Sequence, residues 1–408
     1  MIEEAFGFAQ GVTGGPAKPT RQVKNAAELR TALEALTADG PPATIDVVRN
    51  PSNENAFDFG SGKGATQTVA ITARNLTISS SNGAVLKNVR LSIGVDVSDN
   101  ILITGLSFHS AGAADGARDS IDLDSVGGKK ARDVCRVRIS HCAFDGYYDI
   151  NICSKTAPNG PRLLVTIDHC LFFDAKPGLL GPKDKDDEPA GYKDRGAINF
   201  ATDKDKKIKT GNAFITVANN VFIDVWRRLP RVARSNRGHV FNNLLYRWGY
   251  TDPKSPDRTK PNGTWRGMEV GGGENANPED DGVVLIQANR FIPWADKTDI
   301  EPEIKIHPNT TADLEGAPPL PNQFDTPQAK PVTKGKVPEG PKKQQGTIDV
   351  TTFYDKLDLD LKAPAVVKAA DVAWAGLVRA AGPPNFATAG GDPRAELLAL
   401  LQKAGSAQ

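Results

Sequence analysis

One phrase recurs six times through the middle of the chain, at residues 101–108, 137–144, 165–172, 215–222, 238–245 and 284–291. It places aliphatic or β-branched residues at alternate positions, then a polar or small corner, then an apolar or aromatic residue. Val165-Thr166-Ile167-Asp168-His169-Cys170-Leu171-Phe172 is a clear copy. The third residues, Ile103, Ile139, Ile167, Val217, Val240 and Ile286, are spaced by 36, 28, 50, 23 and 46. The smallest spacing is 23 and the last is twice that, which fits a coil of roughly 22–25 residues with loops inserted at some turns. Each phrase alternates and is β-rich, so it is a strand and not a helix. Strand, corner and strand at this period predict an all-β right-handed parallel β-helix. A leucine-rich repeat has an overlapping period, but its leucine pattern is absent.

Stacked coils bring equivalent residues into ladders at strand spacing, about 4.8 Å. Asn219, Asn242 and Asn289 are expected in or near one such ladder. Cys142 and Cys170 hold equivalent places in adjacent copies, and a buried thiol pair is favoured over a disulfide. His141 and His169 are equivalent corner residues, for which a structural role is favoured over a catalytic one.

The flanks differ from the repeat. Leu29, Leu33 and Leu36 share one helical face in residues 25–38, and Asn25 with Glu28 makes a capping-box-like start. Such a helix is expected to cover the open apolar end of the solenoid. Residues 1–300 are expected to form the β-helix with this cap. Residues 301–408 are expected to form a Pro-rich irregular segment, then an extension helical near 363–381 and 393–403, packed on the same domain.

Composition narrows the function. Hydrophobic residues are 39% of the 408, enough for a large core, so a largely disordered chain is excluded. Fifty basic residues almost cancel 49 acidic ones, which argues against a strongly basic nucleic-acid binder. No apolar run reaches the roughly 18 residues of a membrane span. Met1-Ile2-Glu3-Glu4-Ala5 lacks the basic and apolar regions of a signal peptide.

The near-zero sum conceals segregation. Between Val225 and Thr251 there are six arginines (Arg227, Arg228, Arg231, Arg234, Arg237 and Arg247) and no acidic residue. Upstream lie Asp115, Asp119, Asp122 and Asp124, then Asp145 and Asp149. Carboxylates suit calcium, and arginines suit carboxylate ligands. A solvated coil surface explains the same charges, and spacing alone leaves both readings open. If the solenoid aligns them on one face, an acidic ligand held partly through a cation follows. Gly60-Ser61-Gly62-Lys63-Gly64 lacks the Ser or Thr of a phosphate loop and is read as a surface turn. Gly271-Gly272-Gly273 is read as a loop before a strand.

From about Ala5 to Trp294 the sequence resembles the pectate lyase family. The resemblance rests on Ala5-Phe6-Gly7-Phe8 at the start, Asp119-Ser120-Ile121, Ile139-Ser140-His141-Cys142, Lys176-Pro177-Gly178, and above all Trp226-Arg227-Arg228-Leu229-Pro230-Arg231-Val232. It implies calcium-dependent β-elimination on α-1,4-linked polygalacturonate, an acidic polysaccharide. Arg228 matches the catalytic base and Lys176 the lysine that holds the substrate carboxylate. Arg231 and Arg234 would bind substrate, with Ala233 standing where the family has its second arginine. Asp119 and Asp149 match calcium ligands. Where a further ligand aspartate is usual this chain has Cys153, and the alternation Ile150-Asn151-Ile152 favours Asn151 in its place. The charged insert at 183–210 would rim or cover the groove. Because arginine holds its proton tightly, this reaction implies an alkaline rate optimum. The resemblance further implies a secreted monomer with its leader absent from this chain, and no nucleic-acid or membrane partner. Pectin lyase, another polyuronate lyase, or a non-enzymatic carbohydrate-binding β-helix are the alternatives.

Overall fold

A computed structural model describes residues 5–60, 68–110, 119–124, 133–145, 150–155, 160–173, 196–200, 212–225, 227–233, 236–248, 267–271, 283–292, 304–306, 311–313, 320, 322–325, 354, 361–384, 386 and 391–405. Among these, three parallel sheets of ten, eight and eight strands wind together as a parallel β-helix. Each turn visits the third sheet, then the first, then the second: Ile121–Asp124, Val134–Ser140, Ala143–Asp145, then Ile150–Lys155 at the start of the next turn. The sheets continue past residue 300. Ile304–Ile306, Thr311–Asp313 and Gln323–Phe324 each extend one of them. The spacing of 46 is a single turn carrying a long insertion, since Val240 pairs directly with Ile286.

The strands form because their alternate residues have one dry place to go. Ile101, Val137, Val165, Ile215 and Val284 all enter one core cluster between the sheets. The three-residue strands of the second sheet point their middle residue inward. Phe108, Phe144, Phe172 and Phe222 therefore stack at centroid distances of 5.1, 4.9 and 4.9 Å, close to the coil spacing.

The turn between first and second sheets uses two corner residues. His141, His169, Asn219, Asn242 and Ala288 take the left-handed backbone that reverses the chain, with φ of 50–57°. The next position carries the amide ladder. Asn220, Asn243, Asn289 and Asn322 each accept the backbone N–H of the preceding coil's corner residue, at 2.9–3.0 Å. The ladder is thus offset by one residue from Asn219 and Asn242 and contains Asn289. Cys142 and Cys170 occupy the same column, both as free buried thiols donating to Ile103 and Ile139 carbonyls. The His141 and His169 rings stack at 4.9 Å. Beneath them Ser140, Arg138 and His169 all bond Asp168.

The flanking segments cover the faces the coils leave apolar. The helix Ala26–Glu34 buries Leu29 and Leu33 with Leu36 partly covered, and Glu28 N–H donates to the Asn25 side chain at 2.9 Å. The Glu28 carboxylate reaches back to Lys24 N–H, one residue before the position a standard capping box would use. Residues 5–12 lie on the outside of the first sheet, where Phe8 and Ala9 donate N–H groups to Thr216 and Thr166. Gly7 is required there, because its φ is +64° and a Cβ would strike the Thr216 side chain. The helices Trp374–Ala380 and Ala395–Gly405 bury Trp374, Val378, Leu397 and Leu401 against Leu171, Val221, Leu244 and Ile292 of the second sheet. The first helix falls within the expected stretch 363–381, and the second overlaps 393–403 and runs two residues past it.

Candidate active site

The third sheet differs from the other two. Among the described residues its inward positions are mostly apolar and its outward positions mostly polar, with Ser154 inward and Ala70 outward as exceptions. Ile121, Leu123, Ile152, Ile198, Val232 and Val270 enter the core. The register places Ser92, Asp122, Cys153, Asn199, Arg231 and Glu269 in one ladder along the outer face. Among the described residues, the terminal segments that pack on the other two sheets form no apolar cluster on this face.

Two groups stand out on it. The first centres on Asp119, Asp122 and Cys153, whose carboxylate oxygens and thiol lie within 4.8 Å of one another and are all buried. Arg90 from the preceding coil pairs with Asp122 and lies 3.6 Å from Asp124. Asn151 shares the outer face, since Ile152 between it and Cys153 points inward. Its Nδ2 donates to Gly196 O at 3.4 Å, while its buried Oδ1 has no hydrogen-bond partner among the described residues. Asn199 Oδ1 is likewise buried without one.

The second group is arginine. Arg227 and Arg228 extend the sheet, with their carbonyls accepting from Ala197 and Ile198 N–H. Arg228 is half-buried and has φ of 61°. The other non-glycine residues with positive φ sit in repeated corner columns, and Arg228 is the exception among those described. A left-handed backbone costs an L-residue with a Cβ roughly 1–2 kcal/mol, and such strain concentrates at functional sites. Arg231 lies in register with Asn199 and Glu269, with its Nε 3.7 Å from Glu269 Oε1. Gly196 links the two groups, accepting from Asn151 and bridging to Arg227. Arg228 is therefore two coils from Asn151, roughly 10 Å along the axis.

The expected site residues divide two ways. Asp119, Asn151, Arg228 and Arg231 lie on this one sheet. Asp149, Lys176 and Arg234 lie outside the described residues, as does the insert at 183–210. Asp122, Arg90 and Asn199 join the site without having been singled out as ligands. They are visible only once the register is known, because Asp122 and Cys153 are 31 residues apart.

One expectation is overturned. The arginines after Val225 do not form one strip. Arg231 faces the third sheet's outer side, Arg237 begins a first-sheet strand over the Phe214 ring, and Arg247 turns the second-sheet corner onto Asp224 and Glu396. A turn here is as short as 23 residues, so a stretch of that length winds once around the coil.

The donor set fits a divalent cation in charge and depth: two carboxylates and an unpartnered amide oxygen. It departs from an all-oxygen calcium set at Cys153, and Arg90 already balances part of Asp122.

No family model and no curated protein matches the chain. Solved structures do. A polygalacturonate lyase fused with a self-assembling amphipathic peptide is similar at TM-score 0.54 and 16% identity, over 94% of this chain and 98% of that one. Pectate lyase II from Xanthomonas campestris pv. campestris gives 0.51 and 17%, over 93% and 98%. A pectate lyase bound to a hexasaccharide gives 0.51 and 14%, over 92% and 96%. At these identities the similarity establishes the fold, a pectate lyase-like parallel β-helix.

Proposed function

We propose that this protein is a polysaccharide lyase that cleaves α-1,4-linked polygalacturonate by calcium-dependent β-elimination. The observation that supports the reading is that a buried carboxylate cluster and the left-handed Arg228 lie on nearby coils along one sheet. An acidic sugar lying along that sheet would meet both. Calcium, held by Asp119, Asp122 and Asn151 with Asp149, would draw charge from the substrate's C6 carboxylate and so acidify C5.

The chain's own groups do the rest. Arg228 takes the C5 proton, the C5–H electrons form the C4=C5 bond, and the C4–O bond breaks. Water protonates the departing oxygen. Arg231, held by Glu269, and Arg234 bind neighbouring carboxylates, and Lys176 holds the reacting one. Such a polymer-degrading enzyme acts outside the cell, as a monomer. No helix of the described residues is long and apolar enough to cross a membrane.

The test is ultraviolet detection of unsaturated product from polygalacturonate, with calcium or with chelator. Product that appears with calcium and stops with chelator supports the reading. No product from folded protein with calcium overturns it.

A further inference from the structure

We infer that the Asp119–Asp122–Cys153 cluster is a mixed oxygen–sulfur site that binds a thiophilic divalent metal, of the zinc or cadmium kind, more tightly than calcium. The inference rests on reading this face as a cation site, and does not depend on the lyase reaction.

Position is the first support. Cys153 lies in register between Asp122 on one coil and Asn199 on the next. Its Sγ, with one carboxylate oxygen each from Asp119 and Asp122, makes a set within 4.8 Å. Arg90 engages Asp122 through Oδ2, which leaves Oδ1 on the side of the thiol.

The second support is independent of the cluster. Asn151 is only 7% exposed, and its Nδ2 bond to Gly196 O fixes which way the amide lies. Among the described residues the Oδ1 so oriented accepts nothing, and Asn199 Oδ1 beside Cys153 also accepts nothing. Buried acceptors are almost always satisfied, and an orphan on the same face as converging carboxylates is what a cation leaves to be filled.

Sulfur decides which cation. Calcium takes oxygen ligands, whereas zinc and cadmium bind thiolate strongly. Binding converts the Cys153 S–H into a metal–thiolate bond and releases one proton. The other three thiols are not competitors, because Cys135, Cys142 and Cys170 all lie within the apolar core cluster and Cys153 does not.

The experiment is a titration of the full chain with Cd²⁺ alone, without polysaccharide, followed by the ultraviolet thiolate-to-cadmium band and by proton release in weak buffer. The expected result is saturation at one equivalent with one proton released. Cys153→Ser should fold normally by circular dichroism and lose the band. Asp119→Asn should weaken binding by at least about 10-fold, the cost of losing even an outer partner of a ligand. An absent band, a band that survives Cys153→Ser, or displacement of Cd²⁺ by an equal concentration of Ca²⁺ would each overturn the inference. Because no substrate is present, failure of polygalacturonate cleavage leaves this result standing, and the reverse.

Discussion

Arg138 and Asp168 face each other across adjacent coils as a buried fork, with Nε donating to Oδ1 at 2.9 Å and Nη2 to Oδ2 at 2.8 Å. Burial alone would raise the Asp168 carboxyl. The hydrogen bonds from Arg138 and His169 and their charges outweigh it and hold the group well below the usual carboxylate range. The folded state therefore binds this proton more weakly than the unfolded one. Stability from the pair is full above about pH 4, the unfolded value, and is lost as pH falls below it. Arg138→Met should cost about 3–5 kcal/mol at neutral pH, because it strands a buried carboxylate. Adding Asp168→Leu should recover part of that loss in urea unfolding.

His239 behaves oppositely in charge but not in direction. Its ring is fully buried between Gln287, at 2.9 Å, and Tyr354, at 3.0 Å. Burial lowers its pKa to about 4, against a weaker opposing effect of Gln287. Between pH 6.5 and 4 the unfolded chain binds the proton and the folded chain does not. Stability is complete above about pH 6.5 and falls by roughly 3 kcal/mol as pH drops to 4. In His239→Gln the slope of unfolding free energy across that window should flatten, whatever the change in its absolute value.

The coils were legible because a core walled by three sheets repeats the same demand at every turn. Val165, Ile215 and Val284 answer it with the same alternation. The ladder was legible only to within one residue. Asn219 and Asn220 look alike in sequence, and only the turn geometry separates the residue with positive φ from the one that bonds its neighbour coil. The polar face of the third sheet was legible in its residue types but not in its arrangement. Charge spacing cannot be converted into a face when loops of unequal length separate the turns. Arg231 and Arg247 are 16 positions apart by number and lie at different corners of the coil.

The amide ladder should be strongest in its interior. Asn243 accepts from Asn220 N–H and Nδ2, and donates to Val217 O, Phe241 O and Asn289 Oδ1. Asn243→Leu leaves several of these buried groups unsatisfied and should cost about 3 kcal/mol or more. Asn322 lies at the end of the ladder and is only partly buried. Asn322→Ala should cost about 1 kcal/mol. Equal losses at the two positions, by denaturant midpoint, would mean that the ladder does not act as a connected network.

Arg228 offers a test that separates function from folding. Its left-handed backbone is disfavoured for arginine and neutral for glycine, so the residue is retained at a cost to stability. Arg228→Gly removes the strain and the guanidinium together. The variant should unfold at the same temperature as the parent or up to a few degrees higher, since about 1 kcal/mol of strain is relieved. Its cleavage of polygalacturonate should fall by at least about 100-fold, the usual contribution of a positioned proton acceptor. Arg228→Lys keeps the charge but replaces the planar guanidinium with a compact ammonium, and should recover little. A fall in activity matched by an equal fall in thermal midpoint would instead assign Arg228 to the scaffold, since strain held for catalysis predicts that the two measurements diverge.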